Sequence, residues 1–354
     1  MNIEELHELA RWINSEFQSI ANSYKKVEGV LQHNSTQQQK QPLEPQIKDL
    51  KVRLGEMSMN SLTMDQSKLL DEFGVLQYIG KLGSDFLANI EHQTGLDVAT
   101  ALEKIKIANK KLAETQKRAD DIISSLNNIS LEALKPIQLD DDRCLVRIQF
   151  QNEASIENVV EWEKWSKKWV AISRGIGMSI GEAPNDVHII GASRGSFILD
   201  LGVSAAFAKT LTGIINMVVK SAMGIIELEN AREDLRHKKH LNKAIEDGMN
   251  ERIKDLNTNA VEEITEKAKI LALPKELDGD ELTKLNASIK ELLLFQKKGG
   301  GIDIIPPKIE HETNDEDDDI DHSDVYKNRL ELQEQVENLR EIQEHLKQLT
   351  NGVD

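Results

Sequence analysis

The 354-residue chain has little of what builds a large mixed core or a cross-linked fold. Aromatic residues make up only 4% of it, and there are seven prolines. Cys144 is its one cysteine, which excludes an intramolecular disulfide and fits a reducing compartment. The first residues, MNIEELHELARW, do not have the basic and then apolar pattern of a signal peptide, and no run of about 18 uncharged apolar residues occurs. We therefore expect a cytoplasmic protein.

Basic residues are also in deficit, and the deficit is concentrated at one end of the chain. Residues 310–354 carry fifteen acidic and four basic side chains, a net of −11 out of a total of −17. This balance argues against general nucleic-acid binding, which needs clustered Lys and Arg. A basic cluster at residues 232–243 is the exception. It predicts a helix surface with local ion pairs, and the alternative is a dock for an acidic partner, nucleic acid or the chain's own acidic tail.

Apolar residues at helical spacing are what the chain has in quantity. From Leu6 to Leu31 they recur in alternating steps of four and three, the spacing of a coiled-coil seam. Further stripes predict helices within residues 47–129, 205–273 and 324–349. The predicted fold class is therefore mainly α, with long coiled-coil-like helices or a helical bundle.

One region reads differently. CLVRIQF, residues 144–150, alternates with period two and predicts a strand, and a helix with three tryptophans follows. VHII and SFILDL predict two more strands, joined in an antiparallel hairpin by the turn at residues 191–195. An apolar helix begins near Ala205. This order predicts a small β-α-β-β-α module embedded in the helical chain.

Composition divides the chain into five predicted segments. They are a helical or coiled-coil region at 1–135, the small module at 136–235, a helical region at 236–301, an acidic linker at 302–323 and an amphipathic helix at 324–354. The linker has almost nothing to bury, so it is expected to be disordered when alone. The last helix is then detached, and its apolar seam must dock back or bind a partner.

Catalytic and metal-binding motifs occur only in unfavourable contexts. The G-x-S-x-G string around Ser193 leads into a predicted strand, whereas a nucleophile elbow leads into a helix. His237 and His240 have a helical spacing suited to zinc, but the basic residues around them repel a cation. We expect no enzyme activity, no metal and no cofactor, with a hydrolase using Ser193 as a minor alternative.

Apolar stripes supply the candidates for partner binding. The three tryptophans share one helix face, and their rings are predicted to be either core against the small sheet or a binding hot spot. The candidate residues are Leu6, Ile13, Phe17, Ile20, Tyr24 and Leu31 in the first helix, Trp162, Trp165 and Trp169, and Leu332, Val336, Leu339, Ile342, Leu346 and Leu349 in the last helix.

A resemblance to known proteins is confined to residues 161–235. The segment EWEKWSKKWVAISRGIGMSIGEAPNDVHIIGASRGSFILDLG, with its spaced tryptophans and P-N-D loop before a strand, resembles a module of uncharacterised bacterial and prophage proteins. Some of these are similar to components of phage-conflict systems, antiphage defence among them. The resemblance implies a bacterial or phage context and carries no catalytic residue.

The function predicted from these features is that of a structural or adaptor subunit. It oligomerises or scaffolds a protein partner through heptad-patterned helices. The resemblance implies a bacterial or phage-defence complex as the setting. The alternative is a conditional membrane-associating or pore-forming protein. It would use residues 205–226, which are apolar except for a few polar positions such as Lys209 and Lys220.

Overall fold

The structure, a computed structural model, describes residues 3–94, 97–128, 143–193, 197–237, 243–271, 277–306 and 322–351. Within these residues, ten α-helices and one four-stranded antiparallel sheet make a mainly α protein, as predicted. The chain divides into two compact units, Met1–Gln138 and Leu139–Asp354.

The described residues of the first unit form helices and connecting loops, with no strand among them. Its helices are α1 (Ile3–Thr36), α2 (Glu44–Gly55), α3 (Met64–Glu72), α4 (Gly80–Thr94) and α5 (Val98–Asn128). Helices α1 and α5 run antiparallel, and polar contacts join them at both ends. The Asn14 amide donates to Asp120 Oδ1 at 2.7 Å, and the Asn109 amide donates to Glu28 Oε2 at 2.6 Å.

The heptad seam of α1 forms the core of this first unit. Five residues of the seam are only 0–1% exposed and pack with residues of the other four helices: Ile13, Phe17, Ile20, Tyr24 and Leu31. Leu6 is partly exposed. The Tyr24 hydroxyl donates to the Tyr78 carbonyl at 2.8 Å, and burial raises the pKa of Tyr24, so the phenol stays neutral. The predicted helix is confirmed, and its seam is filled from within the chain.

The second unit combines the sheet with five helices. Its elements are β1 (Arg143–Phe150), α6 (Val159–Ser179), β2 (His188–Ser193), β3 (Phe197–Ser204), α7 (Ala205–His237), α8 (Lys243–Leu271), α9 (Gly279–Lys297), β4 (Gly301–Ile305) and α10 (His322–Asn351). The strand order is β2-β3-β1-β4, with every neighbouring pair antiparallel. This is the connectivity of a split β-α-β arrangement, with α7 and α8 inserted before α9. The predicted β-α-β-β-α order is confirmed and is extended by β4.

Strand β4 corrects the prediction that a linker begins at residue 302. Gly301–Ile305 pairs with β1, and Ile302 and Ile304 are 1% and 0% exposed. Five residues between glycines and prolines are too few to show a periodic signal, and the partner strand lies far earlier in the chain. Residues 307–321 of the predicted linker lie outside the described residues, and its last two residues belong to the helix His322–Asn351.

Helix α10 is docked within the unit, which corrects the prediction of a detached helix. It runs parallel to α7, because Lys209 pairs with Glu331 at 2.7 Å and, further along, the Asn230 amide donates to the Leu349 carbonyl at 3.2 Å. Four residues of its seam are only 0–5% exposed and lie in the same core as α7: Leu332, Val336, Leu339 and Leu346. An amphipathic stripe requires that a face be buried but does not say against which neighbour.

Helix α7 is a core helix of this unit. Twelve of its residues are buried, in contact with a core that α8, α9 and α10 share. Among the described residues, α7 is also the one helix long and apolar enough to cross a membrane, with half of its apolar window buried. Core helices of soluble proteins also have this length and composition.

Candidate interaction surface at the start of helix α6

Helix α6 begins where Asn158 caps it. Asn158 has an extended backbone, and its side-chain oxygen accepts hydrogen bonds from the backbone N–H groups of Val160 and Glu161, both at 3.0 Å. Such a cap satisfies N–H groups that have no partner in the first helical turn. It fixes Val159 and Val160 as the first two residues of the helix, with Trp162 one turn further on.

Two of the three tryptophans are core residues. Trp165 and Trp169 are 6% and 5% exposed and lie between the sheet and α9. Their rings meet Phe295 edge-on at centroid distances of 5.2 and 5.4 Å, and the Trp165 ring also meets Phe150 at 6.0 Å. Edge-to-face contacts of this kind stabilise a core beyond the area they bury. For these two residues the structure supports the core interpretation.

Trp162 has a different environment. It is only partly buried, and its ring lies on Phe197 at a centroid distance of 4.8 Å. The two residues that open the helix, Val159 and Val160, are 80% and 69% exposed. Single exposed apolar residues are common, but a group that includes an aromatic ring is typical of interaction sites. We call Val159, Val160 and Trp162 the α6 head.

Acidic and basic side chains both lie close in sequence to the α6 head. Glu157, Glu163 and Glu153 are exposed, and Glu161 is partly exposed. Lys167 donates a hydrogen bond to Glu163 at 2.6 Å, which lowers the pKa of that carboxyl group and keeps it ionised at neutral pH. Lys164 is also exposed, and Glu153 pairs with Lys298 at 3.4 Å, so the surroundings of the apolar centre carry both signs of charge.

A close helix–helix contact holds α6 in place. At Gly175 a Cβ atom would lie 2.0 Å from Ser288 Oγ and 2.3 Å from the Lys284 carbonyl oxygen of α9. Ser288 is fully buried, and its hydroxyl lies 3.0 Å from the Ala171 carbonyl oxygen of α6. The absence of a side chain at Gly175 lets the two helices approach closely enough for this contact.

A row of buried charges lies on one face of the sheet. Phe150 lies on the opposite face. Arg147 on β1 pairs in register with Asp200 on β3 and with Asp303 on β4, and Arg340 of α10 donates to Asp303 at 2.9 Å. Sequence reasoning missed this row. A signal was present, since β1, β3 and β4 each place one of these charges among apolar residues, and a buried charge needs a partner.

The G-x-S-x-G string lies in the predicted hairpin, which the structure confirms. Ser193 ends β2 and pairs with Ile198 at the start of β3, so the string joins two antiparallel strands. Residues 194–196 and the side chain of Ser193 lie outside the described residues. This turn joins two strands, whereas a nucleophile elbow joins a strand to a helix.

The basic cluster and the histidine pair are described in part. Arg232 pairs with Glu233 at 3.0 Å, and Arg236 pairs with Glu233 at 3.1 Å and with Glu246, which are local ion pairs of the kind predicted. His237 ends α7, whereas residues 238–242, His240 among them, lie outside the described residues. Over the described ranges, no three His, Cys, Asp or Glu side chains form a group able to hold a metal ion.

The first unit has a surface depression of about 390 Å³ between α2 and α4. Two of the residues that line it, Lys51 and Glu91, pair with each other at 2.5 Å.

Comparisons with protein-family profiles, with curated proteins and with solved structures return no match for this chain. The functional proposal therefore rests on the chemistry of the surfaces of this protein.

Proposed function

We propose that this protein is a non-enzymatic adaptor or scaffold subunit of the cytoplasm that binds a protein partner through the α6 head. One observation carries the proposal: Val159 and Val160 are 80% and 69% exposed beside the partly buried Trp162. Tryptophan is enriched among the residues that dominate binding energy at protein interfaces. The ring already rests on Phe197, so it is partly ordered before a partner arrives.

The centre of the α6 head indicates which partner fits. Its three residues are apolar and are bordered by both carboxylates and lysines, so a complementary partner has an apolar pocket with a polar border. Nucleic acid and anionic membrane surfaces select clustered basic residues instead. We therefore propose an apolar pocket on a protein as the ligand of the α6 head.

The heptad seams have another role in this proposal. Most of the seam residues in α1 and α10 are buried within their own units, where they stabilise the fold. Recruitment through these seams would require the helices to separate first. The α6 head requires no such change, and it is therefore the better candidate for assembly.

The setting of this assembly is proposed from the resemblance of residues 161–235 to a module of bacterial and prophage proteins. Of the α6 head, Trp162 lies inside that segment, and Val159 and Val160 directly precede it. A complex in bacterial or phage defence is the setting we propose. Deleting the gene in its host and challenging the cells with phages tests it, and unchanged plating efficiency for every phage would count against this setting.

Membrane insertion of residues 205–226 is the competing proposal. It is supported by the length and hydropathy of α7. It would require α7 to leave α8, α9 and α10 and would expose its twelve buried residues. For this reason we favour the adaptor. Sedimentation with liposomes separates the two proposals, because the adaptor is expected to stay in the supernatant.

Affinity purification from the native host tests the α6 head. The variant Val159→Asp/Val160→Asp puts two charges into its apolar centre, and we expect at least about 10-fold less co-purified partner. The matched control is Val170→Asp, which changes a 52% exposed valine further along α6. Equal recovery of the same proteins by wild type and by the double variant would refute the proposal.

A further inference from the structure

The two edges of the sheet are protected to different extents. At the β4 edge, α10 covers the strand: the Gln343 amide donates to the Ile302 carbonyl at 2.9 Å, and Arg340 reaches the Ile304 carbonyl at 3.5 Å. At the other edge lies β2, whose one neighbouring strand in the described residues is β3. An uncovered edge strand offers unpaired backbone N–H and C=O groups to another strand.

The apolar layer of the sheet stops abruptly at β2. The register places Ile304, Val146, Leu201 and Ile189 in one row across the four strands. Their exposures are 0%, 0%, 5% and 68%, so the row is buried until its last member. A fifth strand beside β2 would place a side chain next to Ile189 and extend the row.

Charge distinguishes β2 from the other strands. The other three each contain an Arg or Asp, whereas His188–Ser193 contains no Asp, Glu, Lys or Arg. Lysines and prolines commonly guard exposed edges, and β2 has neither. An antiparallel pair of identical strands sets like charges near one another, and β2 has none to repel. This neutrality suits a second copy of the same strand.

We propose that β2 pairs with β2 of a second copy of this chain, antiparallel and about a two-fold axis. A two-fold interface uses the same surface on both copies and is the commonest in soluble homo-oligomers. The eight strands then form one continuous sheet. This inference uses a different surface from the α6 head and does not depend on it.

One pairing register places the apolar residues of both β2 strands on the same face of the combined sheet. The bulge between Ile189 and Gly191 leaves Ile189 and Ala192 on the same apolar face, since they pair with Leu201 and Leu199. Placing Ile189 opposite Ala192 of the second copy keeps both on that face. Residues directly opposite each other in a sheet share a face, so this register keeps the apolar faces of the two copies on the same side.

Light scattering coupled to size exclusion tests the dimer at about 1–100 μM, the range expected for a small interface. The wild type is expected to approach twice its chain mass of 39.9 kDa. Ile189→Lys should give the monomer, and the matched control Val170→Lys, at an exposed valine of α6, should stay dimeric. Circular dichroism and thermal unfolding of each variant check that the fold is kept.

Two results would overturn the inference: a wild type that is monomeric throughout this range, or an Ile189→Lys variant that is folded and still dimeric. The α6 head is tested separately, because Val159→Asp/Val160→Asp should keep the dimer mass and lose the partner. Ile189→Lys should do the reverse.

Cysteine pairs test the register. Cys144 is fully buried, so introduced thiols are expected to dominate oxidation. The double variant Ile189→Cys/Ala192→Cys should form a covalent dimer on mild oxidation, because each new thiol faces its opposite in the second copy. Ile189→Cys alone should cross-link at least about 10-fold less. Equal cross-linking by the single and double variants would reject this register.

Discussion

Arg147 on β1 and Asp200 on β3 are joined by two parallel hydrogen bonds, Nε to Oδ1 at 2.9 Å and Nη2 to Oδ2 at 2.8 Å. Their side chains are 2% and 10% exposed. Asp303 lies on the other side of Arg147 in the register and is bonded to Arg340 of α10. The charges alternate in sign along this row, which ties the centre of the sheet to the last helix.

Removing Arg147 should strongly destabilise the second unit. Arg147→Met leaves the Asp200 carboxylate buried without its partner, and we expect a loss of about 3–5 kcal/mol in the free energy of unfolding. Urea unfolding followed by tryptophan fluorescence measures it, because three of the four tryptophans lie in α6. Lys167→Met is the control, since its solvent-exposed pair with Glu163 should contribute little to stability. Equal effects of both variants would contradict the structural role given to Arg147.

Adding a methyl group at Gly175 should separate α6 from α9. Gly175→Ala forces a clash with Ser288 and the α9 backbone, at an expected cost of about 1–3 kcal/mol. Gly248→Ala in α8 is the matched control, because no atom lies within 4 Å of its added Cβ. There the gain in helix propensity should stabilise the protein by up to about 1 kcal/mol. Thermal unfolding reads out both, and a stabilised Gly175→Ala variant would refute the close contact.

The indole nitrogen of Trp169 should contribute little to stability. Trp169 Nε1 is buried and has no hydrogen-bond acceptor among the described residues. Trp169→Phe removes this donor and keeps an aromatic ring, so its cost should stay below about 1.5 kcal/mol. Trp169→Ala also removes the ring that meets Phe295 and should cost about 3–5 kcal/mol. Similar losses in the two variants, measured by urea unfolding, would show that Nε1 has a strong partner.

Disrupting the α10 seam should expose α7. Val336 is fully buried, and Val336→Asp puts a charge into the core that α7 and α10 share. We expect increased binding of the dye ANS and a lower unfolding temperature, as apolar surface becomes accessible. Glu344→Asn, on the exposed side of α10, is the control and should change neither. If Val336→Asp behaves like this control, α10 is not held on α7 by its seam.

Local patterns were enough to predict most elements of the fold. The long helices, the strand of residues 144–150 and the hairpin of β2 and β3 all follow from periods of 3.6 or two residues, which neighbours along the chain create. The caps and turns that divide them are local as well. The mainly α class could therefore be predicted from the sequence.

The candidate site was predictable only in outline. The spaced tryptophans marked α6, but nothing in their spacing separates Trp162, which is partly exposed, from Trp165, which is core. The exposure of Val159 and Val160 could not be predicted, because exposure is a property of the folded surface.

The sequence by itself determined which faces of this protein must be buried, since a heptad or period-two pattern follows directly from the order of residues. Only the tertiary structure decided what buries them. It placed the Leu6–Leu31 seam among the helices of its own unit and α10 on α7, and it paired Asp303 in β4 with Arg147 across the sheet. The physical reason is that each of these contacts joins residues far apart in the chain. Many neighbours could satisfy one apolar or charged face, and only packing the whole unit selects among them.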